Sequence, residues 1–223
     1  MSDSDKTGLR LGVDVGGTFT DLLLIDERAG TTHTAKVPST PEDSSIGVLN
    51  GIERLCEQAG IEAGDIGEIM HGTTVATNAA LTRSGATVGL VTTKGYRDTL
   101  QIARSFVPGG LGGWVIWNKT PPLAPLEATI EANERVSADG EVLVPLDEAA
   151  LRTDLEVLFA SGIESLTVAL FNSYVDDTHE RRVAEIAREI APSIPVSTSA
   201  AIMPEMYEYE RAETTVVNAY VRP

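Results

Sequence analysis

The stretch Leu11-Gly12-Val13-Asp14-Val15-Gly16-Gly17-Thr18-Phe19-Thr20-Asp21 decides how this chain is read. A short apolar run beginning at Leu9 reads as a buried strand with Asp14 near its end. A double glycine follows, and a second strand runs over 19–25, close enough to form a hairpin. Because the glycines lead into a strand, the stretch is neither of the phosphate motifs that open a helix. Two readings apply. In the first, Gly16 and Gly17 serve a turn and the aspartates are solvated. In the second, adjacent glycines let backbone N–H groups gather round one anion, and the hydroxyls of Thr18 and Thr20 add donors. Asp14 and Asp21 would repel a bare phosphate, so the second reading needs a cation. Magnesium takes oxygen ligands and water, and would bridge carboxylate and phosphate. The full pattern favours the phosphate loop. It assigns Gly16, Gly17, Thr18, Phe19 and Thr20 to phosphate binding, Asp14 and Asp21 to catalysis, and Asp14 to magnesium, directly or through water.

Around this hairpin the chain alternates strands and helices. A β-branched strand is expected over 31–37. A helix then starts with Thr40 as N-cap and Pro41 as its first residue. Ile46, Leu49, Ile52, Leu55 and Cys56 share its apolar face, and Gly60 closes it. Strands over 66–71 and 86–93 flank a helix over 74–84, and a short helix spans 96–103. Residues 105–125 are rich in glycine and proline and hold Trp114 and Trp117. A hairpin follows around Asp139-Gly140, then a helix capped by Asp147 with Leu151, Leu155, Leu158 and Phe159 on one face. A buried strand over 166–171, a helix facing inward through Val183, Ile186, Ala187 and Ile190, a strand over 195–199 and a helical segment over 205–221 complete the chain. This order specifies an α/β fold with a mixed, largely parallel sheet. The expected domains are a first nucleotide-binding subdomain over 1–104, a connector over 105–125 and a second α/β region over 126–223.

Composition narrows the function. The 223 residues carry 17 Lys plus Arg against 33 Asp plus Glu, a formal charge of −16. Nucleic acids and anionic membrane surfaces select basic patches, so neither is expected as a partner. One phosphate ligand remains compatible, since backbone N–H groups bind anions without cations. The single cysteine, Cys56, excludes an internal disulfide and a thiolate zinc cluster. The polar start and the lack of a spanning apolar run point to a cytoplasmic protein.

Further candidates sit at element ends. His71 closes a strand, and Thr73 and Thr74 open a helix. They face a nucleotide or substrate in one reading and form a plain N-cap beside a packed histidine in the other. Lys94 and Arg97 follow a strand end, where ligands of α/β sheets gather, or are solvated surface charges. Arg211 pairs with Glu208 or Glu213, or serves a lobe interface.

The 14–21 segment resembles the first phosphate-binding segment of the actin, hexokinase and sugar-kinase superfamily. More closely, the chain is similar to the N-terminal part of the hydantoinase A, 5-oxoprolinase and acetone/acetophenone carboxylase family. The matching stretches include His71-Gly72-Thr73-Thr74-Val75-Ala76-Thr77-Asn78-Ala79, Leu90-Val91-Thr92-Thr93-Lys94-Gly95-Tyr96-Arg97-Asp98, Glu134-Arg135-Val136, Asn172-Ser173-Tyr174 with His179-Glu180, and Tyr209-Glu210-Arg211 with Thr214-Thr215-Val216-Val217-Asn218. The resemblance implies an actin/sugar-kinase-like, ribonuclease H-like nucleotide lobe, incomplete relative to the family. It implies ATP and magnesium as cofactors. It also implies activation of a carbonyl or amide oxygen by phosphorylation, before carboxylation of a ketone or opening of a cyclic amide. The 109–117 loop leans the expectation toward the aromatic-ketone carboxylase branch, or is a connector whose tryptophans pack on the core.

Family members continue beyond residue 221 into a second lobe, and no second Asp-x-Gly-Gly-Thr pattern occurs here. The expected partners are therefore other subunits of a complex, including a longer homologous chain. A truncated, catalytically silent structural subunit is the alternative. Val216, Val217, Tyr220 and Val221 form a stripe expected to be left bare for such a partner, unless the chain's own sheet covers it.

Overall fold

The computed structural model describes residues 8–40, 42–104, 112 and 119–223. The expectations for Pro41, Trp114 and Trp117 lie outside the described residues. The chain forms two compact units, divided between Arg83 and Ser84. The described part of the expected connector, residues 112 and 119–125, belongs to the second.

In the first unit, β1 (Leu9–Val15), β2 (Phe19–Asp26) and β3 (Thr31–Pro38) form an antiparallel meander. Helix α1 (Ser44–Ala59) follows, and β4 (Glu68–Thr73) returns parallel to β1, giving the order β3-β2-β1-β4. Helix α2 (Val75–Thr82) comes next. Strand β1 alternates: Leu9, Leu11, Val13 and Val15 are buried, while Asp14 is exposed. It is half-buried rather than buried throughout, because α1 covers only one face of the sheet. The buried residues of β1 join Leu22, Leu24, Ala35, Val37 and Leu55 in one core.

Helix α1 begins later than its sequence suggests. Asp43 is the N-cap, accepting a hydrogen bond from Ser45 N, while Thr40 accepts one from Gly47 N at 3.0 Å. The helix faces the sheet through Gly47, Gly51 and Leu55, with Ile46 and Leu49 exposed. Helix and sheet approach too closely for a larger stripe. A Cβ at Gly51 would lie 2.2 Å from a Leu22 methyl group.

The second unit runs β5 (Val88–Thr93), α3 (Thr99–Ile102), β6 (Thr129–Ala132), β7 (Arg135–Val136), β8 (Val142–Val144), α4 (Glu148–Ala160), β9 (Ser165–Ala169), α5 (Thr178–Ile190), β10 (Val196–Thr198), α6 (Ser199–Ile202) and α7 (Glu208–Val221). The sheet order β10-β9-β5-β6 is parallel throughout, and β7 and β8 form the expected hairpin. Asp147 caps α4 through Ala150 N. Helices α4 and α5 bury Leu151, Leu155, Leu158, Val183, Ile186 and Ala187 against one face of the sheet. On the other face, Val216, Ala219 and Tyr220 of α7 pack with Val88, Leu90 and Ala169. The stripe expected to be bare is therefore covered within its own unit. The reason is topological: α7 lies along β9, β5 and β10.

Candidate functional site

The face of the first sheet opposite α1 carries the chemistry. Pairing registers lay its residues out in rows across β3, β2, β1 and β4. One row is Lys36, Asp21, Asp14 and Gly72. The next is Thr34, Leu23, Gly12 and Met70. The third is Thr32, Ile25, Arg10 and Glu68. Asp14 and Asp21 are thus direct cross-strand partners, an arrangement that is unfavourable for two like charges unless a cation intervenes. Lys36 Nζ meets both Asp21 oxygens at 3.0 Å and lies over the Phe19 ring. Asp14 has no side-chain partner among the described residues. Arg10 is tied to Glu68 at 2.8 Å and to Glu27 at 3.2 Å. A depression of about 420 Å³ on this face is lined by Asp14, Asp21, Leu23, Met70, His71 and the two glycines of the rows.

The β1–β2 turn closes the carboxylate end of these rows. Gly16 N donates to Phe19 O at 3.0 Å, and Gly16 and Gly17 are packed, not left-handed. A Cβ on Gly16 would come 2.9 Å from Phe19 O, and one on Gly17 would come 2.9 Å from the Asn78 amide nitrogen. The N–H groups of Gly17 and Thr18 have no partner among the described residues. The start of α2 abuts the turn: Thr74 N donates to Val15 O at 3.1 Å, and the Thr73 and Thr74 hydroxyls approach the same carbonyl at 3.4 Å. Two free N–H groups, a helix N-terminus and a free carboxylate therefore share one end of the sheet, which is the chemistry of an anion-plus-cation site.

Among the sequence candidates, Asp14, Gly16, Gly17, Thr18, Phe19, Asp21, Thr73 and Thr74 meet here; His71 pairs with Val13, so it sits on the other face of β4 and only borders the depression. Thr20 does not act as expected. It is fully buried on the α1 side, with its hydroxyl 3.0 Å from Ser39 Oγ. The alternation of β2 sends it to the core. Ser39 was missed by sequence reading. Its hydroxyl donates to Gly16 O at 2.7 Å and its N–H to Thr18 O at 2.9 Å, so it shapes the turn from below. Asn78, also missed, braces the turn at Gly17 and donates to Thr74 Oγ1 at 3.2 Å. Polar residues at the strand end before α1 and inside α2's first turns were the available signals.

Lys94 and Arg97 belong to the second unit. They line a depression of about 510 Å³ with Glu131, Asp147 and Asp154, and Arg97 donates to Leu126 O at 2.9 Å. The same unit encloses charges, among them the expected Arg211–Glu208 pair together with Glu180 and the Glu134–His179 contact, which sequence reading did not place. Arg211 is 1% exposed and donates to Ser199 Oγ, Glu205 O, Leu170 O and Glu208. Glu180, fully buried, accepts from Leu170 N, Ala200 N and Ser199 Oγ, and burial pushes its carboxyl up despite those donors. Glu134 bridges the Thr93 hydroxyl and His179 Nδ1, the latter at 2.8 Å.

This architecture is an α/β fold of the actin and sugar-kinase type. The family model of the hydantoinase/oxoprolinase N-terminal region matches residues 10–191, and the chain belongs to that family. The acetophenone carboxylase gamma subunit of Aromatoleum aromaticum is 35% identical over 95% of this chain and 31% of its own length. The caprolactamase subunit alpha of Pseudomonas jessenii is 32% identical over 98% of this chain and 32% of its own. The nucleotide-free structure of an acetone carboxylase, from work on ATP-dependent acetone carboxylation, superposes with a TM-score of 0.88 at 26% identity, covering 96% of this chain and 32% of that one. The chain thus spans about a third of the length of these relatives.

Proposed function

We propose that the β1–β2 turn binds the phosphates of ATP with magnesium, as part of an enzyme that phosphorylates a ketone's enol oxygen before carboxylation with bicarbonate. The observation that carries this reading is the free Asp14 carboxylate beside the unpartnered N–H groups of Gly17 and Thr18. Among the described residues, no three His, Cys, Asp or Glu side chains form a metal cage. One carboxylate plus phosphate oxygens and water suits magnesium, which seldom occupies all-protein cages. When bound, the ion neutralises charge on the transferring phosphoryl group.

The chain's own residues position and polarise. Gly17 and Thr18 N–H, with the Thr18 hydroxyl, hold phosphate oxygens, and the α2 N-terminus adds a favourable field. Asp14 holds the ion, directly or through water. Asp21, held by Lys36, keeps a second carboxylate in reserve across the strand pair. ATP held there would supply its γ-phosphoryl group to the enol oxygen, with ADP as the leaving group. A cyclic amide hydrolase is the second reading, favoured by the likeness to the caprolactamase subunit alpha. There the same transfer goes to the amide oxygen. His71, Thr73, Thr74, Lys94 and Arg97 remain candidate contacts to nucleotide or substrate. The other subunits, including a longer homologous chain, supply the rest of the site in the cytoplasm.

Calorimetric titration of the chain with Mg-ATP tests the phosphate reading, with binding expected for wild type and lost in Asp14→Asn. Absence of Mg-ATP binding, alone and in the assembled complex, would favour the structural subunit. ATP turnover by the complex with a ketone plus bicarbonate, against turnover with a lactam, separates the two chemistries.

A further inference from the structure

Gly17 has no conformational reason to be glycine. Its φ is not positive, so other residues could adopt its backbone. What the position lacks is room. A Cβ there would lie 2.9 Å from Asn78 Nδ2 and 3.6 Å from Asn78 Cγ. The glycine therefore admits one side-chain amide, reaching from α2 to the β1–β2 turn.

Asn78 is held in that place from its own helix. Its N–H donates to Thr74 O at 2.8 Å and its Nδ2 to Thr74 Oγ1 at 3.2 Å, while Thr74 N donates to Val15 O where the turn begins. Helix α2 buries none of its residues, so core packing does not impose this arrangement. A side-chain NH2 group carries two hydrogens. One goes to Thr74 Oγ1, and the second has no acceptor among the described residues. The carbonyls of Val15, Gly16 and Thr18 already accept from Thr74 and Ser39. Beside Asn78, the N–H groups of Gly17 and Thr18 also lack acceptors among the described residues. Three N–H hydrogens without acceptors thus lie about Gly17. Crowding donors gains the fold nothing, whereas an anion bound among them would accept charge-assisted hydrogen bonds from all three. A neutral donor also leaves the Asp14 carboxylate to a cation.

We propose that Asn78 is a phosphate-binding residue, whose spare Nδ2 hydrogen joins Gly17 and Thr18 N–H on the phosphate, and that Gly17 is glycine to admit it. The inference rests on the phosphate reading of the turn and deepens it by placing a third donor on α2, so that the nucleotide ties this helix to the hairpin.

The test is calorimetric titration of the chain with Mg-ATP, for wild type, Asn78→Ala, Asn78→Asp and the double variant Gly17→Ala/Asn78→Ala, with Asp14→Asn as the control for the phosphate reading. The Asn78 variants change a helix without buried residues and should melt close to wild type. Asn78→Ala should bind Mg-ATP about 10- to 100-fold more weakly, the loss of one hydrogen bond to a charged group. Asn78→Asp keeps the shape but cannot donate and adds a negative charge, so it should bind no better than Asn78→Ala. The double variant sets a methyl group in the vacated space and should stay as weak as Asn78→Ala. Wild-type affinity in Asn78→Asp would overturn the proposal. Affinity restored in the double variant would overturn it too, since Asn78 would then only fill space. Binding lost in Asp14→Asn but kept in Asn78→Asp removes Asn78 alone. No binding by wild type, alone or in the assembled complex, removes the phosphate reading with it.

Discussion

Strands β1 and β5 are both short, both mainly apolar, and each leads into a glycine-containing turn, yet they occupy opposite environments. Every residue of β5 is buried, as is every residue of β9 beside it. Strand β1 buries alternate residues only. The second sheet is parallel and carries helices on both faces; the first has a helix on one. A sheet covered on both sides must satisfy its charges internally, as Glu134, Glu180 and Arg211 are. A sheet covered on one side can present a row of carboxylates to solvent and ligands. Polar residues in the second unit thus hold the fold, and those on the first sheet's open face are available for chemistry.

The sharpest way to break this contrast is Arg211→Leu. Truncating it leaves Glu208 and two backbone carbonyls without their donor inside the second unit. We expect a loss of about 3–5 kcal/mol in urea unfolding. Wild-type stability would mean that the buried network does not hold the fold. Next comes Asp14→Ala. With the fold unchanged by circular dichroism, ATP turnover of the assembled complex should fall about 100- to 1,000-fold, a transition-state loss of about 3–4 kcal/mol. Undiminished turnover would remove Asp14 from the mechanism.

A pH series sharpens the comparison from the other side. Burial raises the carboxyls of Glu180 and Glu208. A carboxyl raised in the folded state contributes stability at acid pH that is lost as pH rises through its folded value. Urea midpoints should therefore decline as pH climbs above the ordinary carboxylate range. Glu180→Gln should flatten that slope while lowering the acid plateau, because its NH2 group would face Ala200 N–H. A steeper slope in the variant would contradict the assignment. The smallest effect is Ser39→Ala, which removes the bond to Gly16 O and should cost about 1 kcal/mol of stability. Mg-ATP affinity should weaken in step and recover in Ser39→Thr. Unchanged affinity would show that the turn keeps its shape unaided.

The hairpin, the order of strands and helices, and the Asp147 cap were legible because each depends on neighbours in sequence. The register of β1 was legible too, since Leu9-Arg10-Leu11-Gly12-Val13-Asp14-Val15 alternates, but read as an apolar run it suggested a buried strand. Thr20 was assigned to phosphate because its type fits; only its position on the inward face of β2 corrects that. The start of α1 moved to Asp43 because Thr40 spends its hydroxyl on Gly47 N and on Asp43 O. Ser39, Asn78 and the Glu134–His179 and Glu180–Ser199–Arg211 contacts join residues distant in sequence. No local pattern encodes them.

The closure of the second unit has a consequence for the order in which the molecule is made. Ala86 N donates to Tyr220 O at 2.9 Å, so the residues that open this unit are held by those near its end. Until α7 leaves the ribosome, one face of β5 and β9 has no cover, and Ser199, which donates to Glu180, lacks its arginine. The first unit closes within its own 83 residues. It can fold while the rest is still being synthesised, whereas the second must wait with an apolar sheet face exposed, the interval in which a chaperone has most to hold.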